Sequence, residues 1–163
     1  MARALSARFP RSALVTGDSF FAFLDRGSIA PWTAEAHAQN EVVITAAAAA
    51  AGRLVTGGYT VVYDGVVDPR FLDAFGVATG LWRVHYAVLL PPEDACVARV
   101  ESRVDHGFTD VGATRHMFAQ FADADIDERH VVRGVSDPER LASTIVERFD
   151  GGALERVVPR PGG

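Results

Sequence analysis

Asp18 and Asp64 each stand where an apolar run stops, the first just beyond Ser12-Ala13-Leu14-Val15-Thr16-Gly17 and the second at the end of Thr60-Val61-Val62-Tyr63. Open parallel sheets bind ligands outside the carboxyl ends of their strands, so acids there have the reach to serve a bound molecule. Three arginines, Arg99, Arg103 and Arg115, flank His106-Gly107. Guanidinium is planar and permanently charged, and suits the neutralisation of negative charge on a ligand. Gly134, Val135 and Ser136 follow a further apolar run and can form a loop against a ligand. Each group also has a plain structural reading. Asp18 can cap a helix, Asp64-Gly65 can be a turn, solvated helix faces carry most arginines, and residues 134–136 can be a simple strand-to-helix connection.

The elements that must position these groups are legible in outline. The run 57–67 opens with two glycines, continues unbroken through branched and aromatic residues, and reads as a parallel strand buried on both faces. Runs 12–18, 84–90 and 129–134 have the same form, the second of these stopped by Pro91-Pro92. Helical patterns separate them, which predicts an open parallel α/β sheet. Residues 1–9 have helical composition without a cap, like the back half of a helix, so a strand and the front of that helix are expected before Met1. Phe20, Phe21, Phe23 and Leu24 predict a helix packed on the sheet. A long helix follows Pro31-Trp32-Thr33, with Thr33 able to cap and Val43, Ala47, Ala50 and Leu54 on one stripe. The alanine run 46–51 predicts close helix packing. Trp32, His37, Gln39 and Asn40 fall early in this insertion, where packing and capping explain them as well as ligand contact does. Pro92 suits a first helical position, Asp110 can cap a helix carrying Arg115, Met117, Phe118 and Phe121, and Asp137-Pro138-Glu139 can cap a last helix with Leu141, Ile145 and Phe149 inward. Residues 151–163 are expected to be a frayed tail after a single domain over residues 1–150.

At 163 residues, with 48% hydrophobic and 23% charged content, the chain can build one ordinary core. A net charge of -5 gives no general attraction to nucleic acid or anionic membranes, and neither is expected as a partner. Cys96 is the single cysteine, so no intramolecular disulfide can form, and a cytoplasmic location is expected. All 16 basic residues are arginine; the chain contains no lysine.

The order of these features resembles P-loop small-molecule kinases: strand ending in Asp18, long helical insertion, strand ending in Asp64-Gly65, arginine-bearing lid at about residues 103–116, then a strand leading to Gly134-Val135-Ser136. It is most similar to the group of chloramphenicol phosphotransferase, gluconate kinase-like and zeta-toxin-like proteins, from Met1 to about Phe149. The resemblance implies a three-layer α/β fold with a parallel sheet, lacking here its first, central strand. It implies transfer of the γ-phosphoryl group of ATP to a small-molecule hydroxyl acceptor. Asp18 would take the acceptor's proton, Asp64 would hold Mg2+, and Arg103 and Arg115 would stabilise the transferring group. Arg99, Gly134, Val135 and Ser136 would contact the nucleotide. The family's phosphate-binding Gly-x-x-x-x-Gly-Lys-Ser/Thr loop is absent, since its lysine is absent. Either Met1 is an internal start, the preferred account because a sheet rarely tolerates losing its central strand, or this is a loop-less relative; as it stands, the chain should not be a competent kinase.

Two other classes remain. Gly17-Asp18-Ser19 after a strand is similar to the opening of GDSL-type esterases, which would make Ser19 the nucleophile and Asp127 with His130 its support, although the intermediate Gly-x-Asn-Asp block is missing. The third class is a degenerate kinase fold that binds a ligand or partner without turnover.

Overall fold

The computed structural model describes residues 1–102, 110–134 and 137–159. The expectations placed on Arg103, Val135 and Ser136 lie outside the described residues.

Strand β1 (Ser12–Thr16) and strand β2 (Thr60–Asp64) pair in parallel, in a register that sets Ser12 beside Thr60 and Thr16 beside Asp64. Branched and aromatic side chains favour this extended pairing, and Val15 and Val62 are buried in it. Helix α1 (Ala2–Ser6) precedes β1, and α2 (Gly17–Phe21) follows it at once. Helix α3 (His37–Thr56) returns the chain to β2. Its buried residues are Val43, Ile44, Ala47, Ala48, Ala51 and Gly52, while Ala50 and Leu54 are half-buried. The small side chains let α3 lie tight on α4 (Leu72–Thr79), as the alanine run predicts. A Cβ on Gly52 would fall inside the van der Waals shell of the Thr79 carbonyl oxygen, 2.6 Å from its carbon and 2.9 Å from Thr79 Cα.

The predicted insertion closes on itself. The Gln39 side chain accepts from the Ile29 N–H and donates to the Ile29 carbonyl, both at 2.7 Å, while Asn40 donates to the Pro31 carbonyl at 2.6 Å. These residues therefore fasten the 29–31 segment to α3. Thr33 precedes a 3-10 turn at Ala34–Ala36, but its hydroxyl donates to the Ala30 carbonyl and caps nothing.

The run 84–90 is not one strand. It divides into β3 (Arg83–His85) and β4 (Val88–Leu89), because its halves have different partners. Strand β4 pairs in parallel with β5 (Val131–Val132), a short remnant of the predicted run 129–134 whose first part is a 3-10 turn at Glu128–His130. Strand β3 pairs antiparallel with β6 (Glu155–Val157). The expected frayed tail is thus part of the fold at least to Val158. Tyr86 N–H donates to the Leu154 carbonyl and Val158 N–H to the Trp82 carbonyl, each at 2.9 Å. Leu154 is 2% exposed, and Val158 packs on Gly76.

Helices α5 (Glu93–Glu101) and α6 (Val111–Ala122) pack on each other, and α7 (Pro138–Asp150) lies against α1. The predicted caps form. Asp110 accepts from Ala113 N–H at 2.9 Å, and Asp137 accepts from Glu139 and Arg140 N–H at 3.0 and 3.1 Å. Phe9 meets Phe149 edge-on, 5.7 Å between ring centres, and Arg8 pairs with Glu139.

The architecture among the described residues is therefore mixed α/β with three two-stranded ladders, two of them parallel, instead of one open sheet. Two buried clusters fill it. One joins Ile44 and Ala48 to Phe71, Leu72 and Phe75; the other joins Val88, Leu90 and Val131. Tyr86 packs against both, and burial is the main cause that pushes its pKa up to about 12, so its phenol keeps its proton. No helix among the described residues is long and apolar enough to cross a membrane.

Candidate functional site

Parallel pairing of β1 with β2 brings their carboxyl ends together, and with them Asp18 and Asp64. Asp18 lies in the first turn of α2, whose N-cap is Thr16, and its side chain makes no capping bond. Asp64 is the last residue of β2, and the following Gly65 is not among the glycines with positive φ, so a left-handed Asp-Gly turn is not what ends the strand. Both carboxylates are exposed, and neither forms an ion pair among the described residues. The capping reading of Asp18 is therefore not realised.

Near both acids lies Tyr63, a residue that the sequence presents only as part of a buried strand. Burial, followed by the negative charges of Asp18 and then Asp64, pushes its pKa up to about 12. It is therefore a permanent O–H donor near neutral pH. Its hydroxyl lies over two glycines. A Cβ on Gly17 would be 2.5 Å from Tyr63 Oη and 3.4 Å from Gly65 Cα, and a Cβ on Gly65 would be 3.0 Å from the same oxygen. The glycines at 17 and 65, one after each strand, are the sequence signal that two backbones and a ring converge here.

Gly17→Ala should accordingly push the Tyr63 ring out of place and lower stability by about 1–3 kcal/mol, the usual range for overpacking. Tyr63→Phe removes the closest clashing atom, so the double variant should recover part of that loss. Urea unfolding of the four proteins forms the cycle, and strictly additive effects would contradict this geometry.

Among the described residues, Arg99, Arg115 and Gly134 make no hydrogen bond or ion pair with the two acids. Arg115 is held by Glu93 at 3.4 Å, tying α6 to α5. Arg99 is exposed on α5 and forms no ion pair among the described residues. Gly134 leaves β5 with φ near 100°, a conformation that needs glycine. His130 is 3% exposed and its Nδ1 donates to the Tyr86 carbonyl at 3.0 Å, while Asp127 accepts from Arg129 at 3.0 Å. Asp127 and His130 are joined only through the backbone, His130 N–H donating to the Asp127 carbonyl at 2.9 Å; their side chains bond elsewhere, so the dyad that the esterase resemblance requires is not assembled. No group of three His, Cys, Asp or Glu side chains able to hold a metal occurs among the described residues.

The site is thus two exposed carboxylates and a nearby protonated phenol at the carboxyl end of a parallel strand pair, groups able to accept a proton or share a cation. No protein-family model matches the chain, and no curated protein matches it.

Proposed function

We propose that this chain provides the acceptor side of an ATP-dependent small-molecule phosphotransferase of P-loop kinase type. Asp18 receives the proton of the acceptor hydroxyl, and the Tyr63 hydroxyl orients the oxygen that loses it. Asp64 is the acid available to Mg2+, an ion ordinarily held by one or two carboxylates together with phosphate oxygens and waters. Nucleotide phosphates do not find a cradle in these residues, which contain no lysine and no glycine-rich phosphate loop. No step through ATP is therefore assigned to them. A cytoplasmic location belongs to the same proposal, supported by the single cysteine.

The observation that carries the reading is the division of the parallel strands. Pairs β1–β2 and β4–β5 run parallel but form separate ladders. In the proposed fold, one parallel strand ending in a phosphate loop lies between β2 and β4 and makes them one five-stranded sheet.

The test uses the gene's reading frame continued upstream of Met1. A lengthened chain carrying such a strand and loop should transfer phosphate from Mg-ATP to a member of a panel of small hydroxyl compounds, and the 163-residue chain should not. Asp18→Asn should slow transfer about 100-fold or more in the lengthened chain. Failure of the lengthened chain to transfer phosphate, or full activity of the Asp18→Asn variant, would refute the proposal. A frame that supplies no such loop would leave the non-catalytic binding protein as the better reading.

A further inference from the structure

The turn after β2 holds an arginine in an unusual degree of restraint. Asp68 Oδ1 accepts from the Arg70 backbone N–H at 2.8 Å and from Nε at 2.9 Å, and Oδ2 accepts from Nη2 at 2.7 Å. The Asp68 side chain is 13% exposed and that of Arg70 63%, so the acid is the anchor and the guanidinium the presented group. Burial on its own would raise the Asp68 carboxyl, but the hydrogen bonds and charge of Arg70, helped by His37, outweigh it and hold the carboxyl below its ordinary range. The pair is ionised and rigid near neutral pH.

A guanidinium has five N–H groups, and the Asp68 clamp occupies only the Nε and Nη2 edge. The parallel N–H groups of the Nη1 and Nη2 edge remain, a second fork of the kind that binds carboxylate or phosphate. Arg70 lines a cavity of about 280 Å³, open to solvent, with Asp68, Pro69, Gln120 and Ala124. The Gln120 amide makes no hydrogen bond among the described residues. Pro69 and Ala124 give the cavity apolar wall.

We propose that this cavity binds a small molecule through an oxyanion, carboxylate or phosphate, gripped by the free edge of Arg70 and by the Gln120 amide. The anion lies at ~3 Å from the guanidinium and roughly twice as far from the Asp68 carboxylate, so attraction exceeds repulsion. The site does not depend on the phosphotransferase reading, because it needs no nucleotide and uses neither Asp18 nor Asp64.

The experiment is a titration of the whole chain, followed by NMR of the Arg70 Nε–H and the Gln120 side-chain amide, with sodium phosphate in one arm and sodium acetate in the other at constant ionic strength. Both signals should move saturably in at least one arm, and the arm that gives the tighter binding identifies the oxyanion. Arg70→Gln should weaken binding about tenfold or more. Gln120→Ala, which leaves the Asp68 clamp intact, should weaken it while the amide spectrum stays folded. No saturable movement with either anion, or unchanged affinity in both variants, would overturn the proposal.

Discussion

Replacing Gly52 with alanine will destabilise the protein by roughly 3 kcal/mol, a net of severe overpacking less ~1 kcal/mol regained from the better helix propensity of alanine. The opposing atoms are backbone, the carbonyl group and Cα of Thr79, and cannot rotate aside. Thr79 is further fixed by its hydroxyl, which donates to the Gly76 carbonyl at 2.6 Å and accepts from Leu81 N–H at 3.1 Å. The two helices must therefore separate. The cluster of Ile44 and Ala48 with Phe71, Leu72 and Phe75 loosens with them, because it fills the same interface. A lowered urea midpoint with an unchanged denaturant slope is the expected readout. A neutral or stabilising Gly52→Ala would mean that α3 and α4 do not approach as closely as described.

Leu154→Ala should cost about 3 kcal/mol, the middle of the range for truncating a buried leucine, and lower the melting temperature by about 6–12 °C in a chain of this size. Leu154 lies beyond the last helix, in a glycine-led segment that resembles a loose end, yet it is 2% exposed. Its carbonyl accepts from Tyr86 N–H, and the following residues form the only partner strand that β3 has among the described residues. Truncating it opens a cavity under β3 as well as loosening the segment itself. A change in stability within about 0.5 kcal/mol, the usual size for a surface substitution, would return residues 153–158 to the status of a tail.

The parts of the fold that the sequence discloses are those in which local chemistry and tertiary demand agree. Strands β1 and β2 are legible because branched residues run unbroken between turn residues, and the caps at Asp110 and Asp137 because an acid before a helix has few other uses. The division of 84–90 is hidden, since Tyr86 binds Leu154 and Leu90 binds Val132, partners that nothing near them in the chain announces. Strand β6 is hidden for a related reason. Glu155-Arg156-Val157 is mostly polar, and it is ordered by its buried flanks, Leu154 and Val158. At the site, the acids are visible as strand ends, but their adjacency depends on which strands pair. Tyr63 is missed because an aromatic in a β-run reads as core, and only the paired glycines hint that its hydroxyl has a place to be.

The contact of the first helix with the last sets the order in which this protein can assemble. Arg8 meets Glu139, 131 positions away, and Phe9 meets Phe149. During synthesis, β1 and β2 can pair once β2 has emerged, but the face of α1 that receives α7 stays bare until residues 138–150 have left the ribosome. Closing so long a loop is entropically late and gives little return until it is complete. Nascent chains halted before residue 139 should therefore be sensitive to protease at residues 1–9, with protection arriving in one step when α7 docks.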